Sequence, residues 1–270
     1  MTSLNTESTV ATWNIRPGSR RGPLIIAHRG DASAAPENTL AAFRQSLAIG
    51  ADGVELDVRL TRDGKLVVFH DRLLDRTSNG HGWVADRTLA ELQSLDVGAW
   101  FGPSFKGEAP PTLDEVFETL PRDYLINVEM KVDINGMRLI AHLVAEAVRR
   151  HQRWDSTLVA SFNPMPLHHL RQMCPRIARG YIWSKHHPYP IRSRWLSWLA
   201  RPDWLNPAKD TYRAGLQLQG RPVLAWDSDI SGDLERMVVA HLDAVVTNDP
   251  AALIQRKQEL AEQPDSTALP

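Results

Sequence analysis

Glu55 and Asp57 stand two residues apart in Gly53-Val54-Glu55-Leu56-Asp57-Val58-Arg59-Leu60, where Val54, Leu56, Val58 and Leu60 alternate with polar residues. That alternation predicts a β-strand, so both carboxylates project from one face, about 7 Å apart. Acids so placed repel each other unless water or a cation lies between them. A tight turn, Thr61-Arg62-Asp63-Gly64, leads into a second strand, Leu66–Phe69, that ends at His70-Asp71. Centring the turn on Arg62-Asp63-Gly64 sets His70 roughly opposite Glu55. Other polar groups also close apolar runs: His28-Arg29 after Leu24–Ala27, Glu129-Met130-Lys131 after Leu125–Val128, and Asp229 shortly after Val223–Trp226.

These residue types suit one chemistry. Three carboxylates (Glu55, Asp57, Glu129) without cysteine favour a hard cation such as Mg²⁺ or Ca²⁺. His28 and His70, not needed as ligands, can then move protons, one as base and one as acid. Arg29 and Lys131 supply fixed positive charge that suits a phosphate group. Each group has a plainer role open to it alone: a salt bridge from Glu55 or Asp57 to Arg29 or Arg59, a structural histidine, or Glu37 at a helix start. The plainer roles would have to hold at every strand end at once, and that coincidence favours a shared site.

The elements that must position these groups alternate. Leu24–Ala27 is a buried strand, and Asn38 or Thr39 can cap a helix with Leu40, Phe43 and Leu47 as its apolar stripe, ended by Gly50. Residues 71–112 are turn-rich, with helical spacing only at Thr88–Leu95, and read as an insertion that shapes substrate access. Thr112-Leu113-Asp114-Glu115 is a capping box ahead of Val116 and Leu120. Strands follow at Leu125–Val128, Thr157–Ala160, Ile177–Ile182, Asp203–Asn206, Val223–Trp226 and Ala244–Val246. The intervening helices carry Leu139 to Ala147, then Leu167 and Leu170, then residues 208–218, then Leu234, Met237 and Val238 behind a Ser231 cap; Asp249-Pro250 opens the last. Leaving out the Leu66–Phe69 arm, eight strands alternate with helices. This is the pattern of an α/β protein with a TIM-type (β/α)8 barrel and a small inserted subdomain, whose strand ends form one ring.

The 270 residues fit one such barrel, read as residues 23–262 between a polar tail at 1–22 and a short tail at 263–270. Lysine plus arginine (31) nearly balance aspartate plus glutamate (32), which gives no argument for nucleic-acid binding. The single cysteine, Cys174, excludes an intramolecular disulfide. The sequence has no signal-peptide-like or membrane-spanning apolar run, so a cytoplasmic protein is expected.

The ordered set Ala27-His28-Arg29-Gly30, Pro36-Glu37-Asn38-Thr39, Gly53–Val58, Thr61-Arg62-Asp63-Gly64, Val68-Phe69-His70-Asp71, Asp75-Arg76-Thr77, Val128-Glu129-Met130-Lys131, Ser161-Phe162 and Thr247-Asn248-Asp249-Pro250 resembles the glycerophosphodiester phosphodiesterases. The resemblance is dense over 24–132 and thinner to about 254. It implies a TIM barrel with an insertion at about 71–112. It further implies one divalent cation, Mg²⁺ or Ca²⁺, on Glu55, Asp57 and Glu129, a His28/His70 acid/base pair, and Arg29 and Lys131 on the phosphate of a small-molecule glycerophosphodiester. The reaction it implies yields sn-glycerol 3-phosphate and an alcohol, with attack by the glycerol 2-hydroxyl through a cyclic phosphate as a route.

The chain also departs from that pattern. Trp226-Asp227-Ser228-Asp229 stands where the family usually has Trp-Thr-Val-Asn, and Asn206-Pro207 replaces a frequent histidine before proline. Trp226 is kept and supplies an apolar wall to the substrate. Asp227 and Asp229 read as a solvated loop or as complements to a cationic head group. Tyr181–Leu205 holds Trp183, Trp195, Trp198 and Trp204 among arginines. Ile191, Trp195, Leu196, Trp198 and Leu199 would form an apolar face, which is either a barrel helix packing its tryptophans inward or an interfacial helix giving membrane contact through 191–204. Three readings follow: a soluble phosphodiesterase, a lysophospholipase D at a membrane surface, and a catalytically silent phosphodiester-binding barrel.

Overall fold

The computed structural model describes residues 12–15, 22–132, 135–186, 197–209, 211, 220–226 and 242–262. Its strands are β1 (Leu24–His28), β2 (Gly53–Leu60), β3 (Leu66–Val68), β4 (Leu125–Met130), β5 (Thr157–Ser161), β6 (Ala178–Trp183), β7 (Trp204–Pro207), β8 (Leu224–Trp226) and β9 (Ala244–Thr247). Eight are parallel neighbours in the order β7-β6-β5-β4-β2-β1-β9-β8, with β3 paired antiparallel to β2. Parallel bridges Leu205–Val223 and Ala208–Trp226 join the two ends of that path, bringing the eight strands round into a TIM-type barrel.

The described α-helices are α1 (Leu40–Ala48), α2 (Leu89–Gln93), α3 (Leu113–Thr119), α4 (Met137–Arg150), α5 (Pro164–Met173), α6 (Ser197–Ala200) and α7 (Pro250–Glu262), with short 3-10 turns at Val84–Asp86 and Pro103–Phe105. Local chemistry sets their starts. Thr39 caps α1 by accepting from the Ala42 N–H, and Thr88–Glu91 and Thr112–Glu115 are reciprocal capping boxes on α2 and α3. Asn163 caps α5 ahead of Pro164, and the Asp249 carboxylate accepts from the Ala252 N–H at the start of α7. The α1 stripe differs from the expected one. Ala42, Phe43 and Ser46 are its buried residues, while Leu47 is 37% exposed. The helix turns Ala42, Phe43 and Ser46 to the protein interior, so Leu47 falls outside the contact face.

Strand alternation splits the core in two. Val54, Leu56 and Val58 of β2, with Ile126, Val128 and Met130 of β4, face outward and join Phe43, Ile140, Val144 and Leu167 of the helices. Leu24, Ile26, Leu125, Leu158, Trp204, Leu224 and Val246 face inward and fill the end of the barrel where the parallel strands begin. Trp13 closes that end. Its ring stands edge-on to Trp204 at 5.1 Å, its Nε1–H donates to the Ser156 carbonyl, and its own carbonyl accepts from Trp204 Nε1–H. Part of the segment expected to be a polar tail is thus core, because Trp13 covers the apolar residues at the strand starts and packs on Trp204.

Trp183 and Trp204 are strand residues buried in the core, whereas Trp198 on α6 is 65% exposed. The same α6 turn buries Ala200 and hydrogen-bonds His168 through the Leu199 carbonyl. Ile191, Arg192, Arg194, Trp195 and Leu196 lie outside the described residues, as do Asp227, Ser228, Asp229, nearly all of the expected helix 208–218, the expected Ser231 helix, and residues 1–11, 16–21 and 263–270. Among the described residues, no helix is long and apolar enough to cross a membrane. Between β3 and α3, Val67, Phe69, Leu74, Val84, Leu92 and Val97 form a separate apolar cluster.

Candidate active site

Inward positions become more polar toward the strand C-terminal ends. On β4 they run Leu125, Asn127, Glu129; on β1, Leu24, Ile26, His28; on β2, Gly53, Glu55, Asp57. The period-two alternation thus stacks an apolar floor, a middle layer and a charged rim. The adjacent registers Asp57–Glu129 and His28–Glu55 bring β1, β2 and β4 together at that rim.

Glu55, Asp57 and Glu129 are buried and offer carboxylate oxygens all within 4.8 Å of one another. They are the one such acidic group among the described residues. Lys131 Nζ lies 2.7 Å from Glu129 Oε1 and 3.2 Å from Asp57 Oδ1, the latter without hydrogen-bond geometry. Burial, then the charges of Asp57 and Glu129, push Glu55 well above the usual carboxylate range. Burial also raises Glu129, against the pull of Lys131. Burial would raise Asp57 too, yet Lys131, His70, Arg29 and a hydrogen bond from Asn38 hold it low. A buried acidic oxygen without a hydrogen bond, beside two carboxyl groups forced toward protonation, fits a divalent cation: hard oxygen donors, too much negative charge, and no sulfur.

Asn38 positions Asp57. Its Nδ2–H₂ donates to Asp57 Oδ2 at 2.9 Å and its Oδ1 accepts from the Asp57 N–H at 3.2 Å. Both Asn38 and Thr39 are competent caps, but Asn38 takes a left-handed backbone (φ 59°) that asparagine tolerates and turns its amide onto β2. Arg29 also has positive φ (57°), and its N–H donates to Glu55 Oε2. The next residue, Gly30 (φ 83°), abuts α1 so tightly that a Cβ would lie 2.6 Å from that of Ala42.

Both imidazoles are tied at Nδ1. His28 Nδ1 is 2.5 Å from Asn248 Oδ1 at the end of β9, and its Nε2 lies 3.9 Å from Glu55 Oε2. His70 Nδ1 is 2.6 Å from Asp71 Oδ1, and the Arg59 Nε–H donates to the His70 carbonyl. The turn centres on Asp63 as expected, but counting out from it places His70 one residue from the expected partner. Val58 pairs with Val68 and the Phe69 N–H donates to the Asp57 carbonyl, which sets His70 level with Leu56, not Glu55. His70 reaches the rim because β3 has ended and the chain bends there. Burial lowers its pKa; Asp57 opposes this, while Lys131 and Arg29 reinforce it.

One further network ties the insertion to the rim. Arg76 contacts Asp71 Oδ2 through Nε and both Glu37 oxygens through its terminal nitrogens, at 2.5–2.7 Å. Glu37 Oε1 in turn accepts from Arg29 Nη1 at 2.9 Å, and Arg29 Nε is 3.4 Å from Asp57 Oδ2. Glu37 is therefore a bridge between two arginines, and Arg76 links His70 to Arg29.

A cavity of about 270 Å³ is lined by His28, Arg29, Glu55, His70, Glu129 and Lys131 together with Phe162 and Trp226. Trp226 stands edge-on to Phe162 at 5.5 Å and donates to the Asn206 carbonyl. Asp57 backs this cavity through Lys131 and Arg29, and Asp229 lies outside the described residues. Sequence reasoning read Asn38 only as a helix cap and Arg59 only as an ion-pair partner of the acids, and gave no role to Arg76, Asn127 or Asn248. For Asn248 the signal existed, since it is a polar residue directly after a strand, as His28 ends one. Asn38 and Arg76 carry no such local mark.

The glycerophosphoryl diester phosphodiesterase family profile matches residues 28–252. A glycerophosphodiester phosphodiesterase of Caldanaerobacter subterraneus subsp. tengcongensis is 39% identical over 234 residues, 86% of this chain and 96% of its own. A phosphodiesterase of Oleispira antarctica, solved in complex with the product sn-glycerol-3-phosphate, is 31% identical with a TM-score of 0.79, covering 88% of this chain and 97% of the other. A glycerophosphodiester phosphodiesterase from Agrobacterium tumefaciens str. C58 gives 27% identity and a TM-score of 0.73, over 86% of this chain and 99% of its own.

Proposed function

The chain belongs to the glycerophosphoryl diester phosphodiesterase family, and we propose that it hydrolyses glycerophosphodiesters to sn-glycerol 3-phosphate and an alcohol, with residues 23–262 as the catalytic domain and 71–112 as its insertion. Glu55, Asp57 and Glu129 hold one divalent cation, Mg²⁺ or Ca²⁺. When bound, that cation supplies positive charge against the phosphoryl oxygens. Arg29 and Lys131 hold the phosphate from the protein side, and Trp226 forms an apolar wall of the cleft.

His70 serves as the base. Burial favours its neutral form, and Asp71 at Nδ1 leaves Nε2 to take a proton. His28, whose Nδ1 faces the Asn248 amide oxygen, serves as the acid. The glycerol 2-hydroxyl loses its proton to His70 as its oxygen bonds to phosphorus; the bond to the alcohol breaks, and the departing oxygen takes a proton from His28. Water then opens the cyclic phosphate with the two roles exchanged.

The observation that carries this reading is the convergence of two tethered imidazoles and the acidic cluster on one cavity. A barrel that only bound phosphodiesters would need neither imidazole. The test is release of sn-glycerol 3-phosphate from glycerophosphocholine, and of choline from lysophosphatidylcholine, with Mg²⁺, Ca²⁺ or EDTA, comparing wild type with His28→Ala. EDTA should abolish release from glycerophosphocholine, and His28→Ala should lower it by roughly 10²–10⁴-fold. Choline release from lysophosphatidylcholine alone would favour the lysophospholipase D reading, and no release from either by folded, cation-bound protein would favour the silent barrel.

A further inference from the structure

The roles above leave two asparagines in the middle layer of the barrel without a task. Asn127 lies there on β4, one inward step below Glu129, and Asn206 lies on β7, one inward step above Trp204. Both line the cavity, and they are only 2% and 1% exposed. Asn127 Oδ1 and both side-chain polar atoms of Asn206 have no hydrogen-bond partner among the described residues. A buried amide with no partner is unfavourable, and an apolar side chain of similar volume would suit a barrel interior better. The fold nevertheless makes room for this one. A Cβ on Gly180 of β6 would lie 2.9 Å from both Asn206 Nδ2 and Oδ1, so glycine there is what accommodates the amide.

The chemistry of the orphaned atoms selects a ligand. A carboxamide presents a donor and an acceptor side by side, which match two adjacent hydroxyls: one accepts from Nδ2–H and its neighbour donates to Oδ1. Asn127 Oδ1, on β4 and separated from β7 by two strands, is a further unpaired acceptor lining the same cavity. A trimethylammonium group could pair with neither amide atom, and a phosphate would meet two amide oxygens instead of cations. From these atoms we infer that Asn206, with Asn127, forms a neutral diol subsite that determines specificity for the glycerol end of the substrate. The identity of the diol rests on the proposed reaction. The glycerol then enters toward the barrel interior and the alcohol head group stays at the mouth. The 2-hydroxyl accepts from Asn206 Nδ2–H, the terminal hydroxyl donates to Asn206 Oδ1, and the 2-hydroxyl proton remains available to His70.

Calorimetric binding of sn-glycerol 3-phosphate and of n-propyl phosphate, in saturating Mg²⁺, tests this in wild type and Asn206→Leu. The two ligands share the phosphate and the three-carbon chain and differ only in hydroxyls. Wild type should prefer glycerol 3-phosphate by roughly 10–100-fold. Asn206→Leu should lose that preference while keeping its affinity for propyl phosphate, and should melt at a higher temperature because an unpaired amide has gone. If Leu does not fit beside Gly180, Asn206→Ala serves for the same binding comparison. Equal wild-type affinities, or a variant that keeps the preference, would overturn the subsite alone. Failure of wild type to bind either ligand would overturn it together with the phosphodiesterase reading.

Discussion

Removing one charge from the acidic cluster, by Glu55→Gln, makes a prediction whose size follows from the geometry. Carboxylates within 4.8 Å of one another repel by about 3 kcal/mol per pair at the effective dielectric typical of proteins. Lys131 offsets this at close range for Asp57 and Glu129, whereas at Glu55 burial and the two other acids outweigh the pull of Arg29 and Lys131 and raise its pKa. A carboxyl group with a raised folded-state pKa stabilises fully below its ordinary value and loses that contribution as pH rises through the raised one. Wild type without cation should therefore weaken on going from acid to neutral pH, and Glu55→Gln should weaken less, keeping only the part that comes from the raised Glu129. Asp57, held low, acts oppositely: its contribution is present above the ordinary aspartate range and lost on further acidification.

A divalent cation reverses the first trend. At a hundredfold excess over its dissociation constant it should add about 2.7 kcal/mol, or roughly 5 °C of melting temperature for a chain of 270 residues. Below the raised Glu55 value, binding should weaken about tenfold per pH unit as the cation competes with that proton. Scanning calorimetry from pH 5 to 8 with Mg²⁺, Ca²⁺ or EDTA measures the stabilities. Titration in buffers of different ionisation enthalpy measures the proton release that accompanies cation binding. Glu55→Gln should lose the cation-induced shift while being as stable as wild type, or more so, in EDTA. A variant that kept the full shift would refute the assignment of Glu55 as a ligand.

Other perturbations separate the remaining roles. His28→Ala and His70→Ala should each lower turnover by roughly 10²–10⁴-fold while leaving the cation-induced melting shift intact; loss of that shift would mean the histidine is a ligand. Because His70 is held below its ordinary value, wild-type turnover should fall with acid only as pH drops beneath about 6.5, in a pH–rate profile of kcat/KM. Arg76→Met releases both Asp71 and Glu37, so it should lower kcat and raise KM together by roughly tenfold, with Arg76→Lys recovering part of the loss; unchanged kinetics would show the network to be structural only. Trp13→Ala should cost about 3–5 kcal/mol, seen as a melting point lower by roughly 6–10 °C, without changing turnover at 25 °C.

The sequence by itself determined the parts written in neighbouring residues. Alternation in Val54–Leu60 put Glu55 and Asp57 on one face, because strand geometry fixes side-chain direction two residues at a time. Thr112 and Glu115 marked a helix start because both partners of the capping box lie within one turn. Polar residues closing apolar runs gave the rim, since parallel barrel strands all end on the same side. Tertiary structure alone decided which of two competent residues would cap α1 and which would hold Asp57. It decided that Arg76 would span His70 and Arg29, that Trp13 would floor the barrel, and that Trp204 would face inward while Trp198 faces solvent. It also put Asn206 beside Gly180 in the middle layer. Each of these depends on register and closure among strands far apart in the chain, which local periodicity does not encode: a residue's neighbours along a strand fix its face, but only the closed barrel fixes what it meets there.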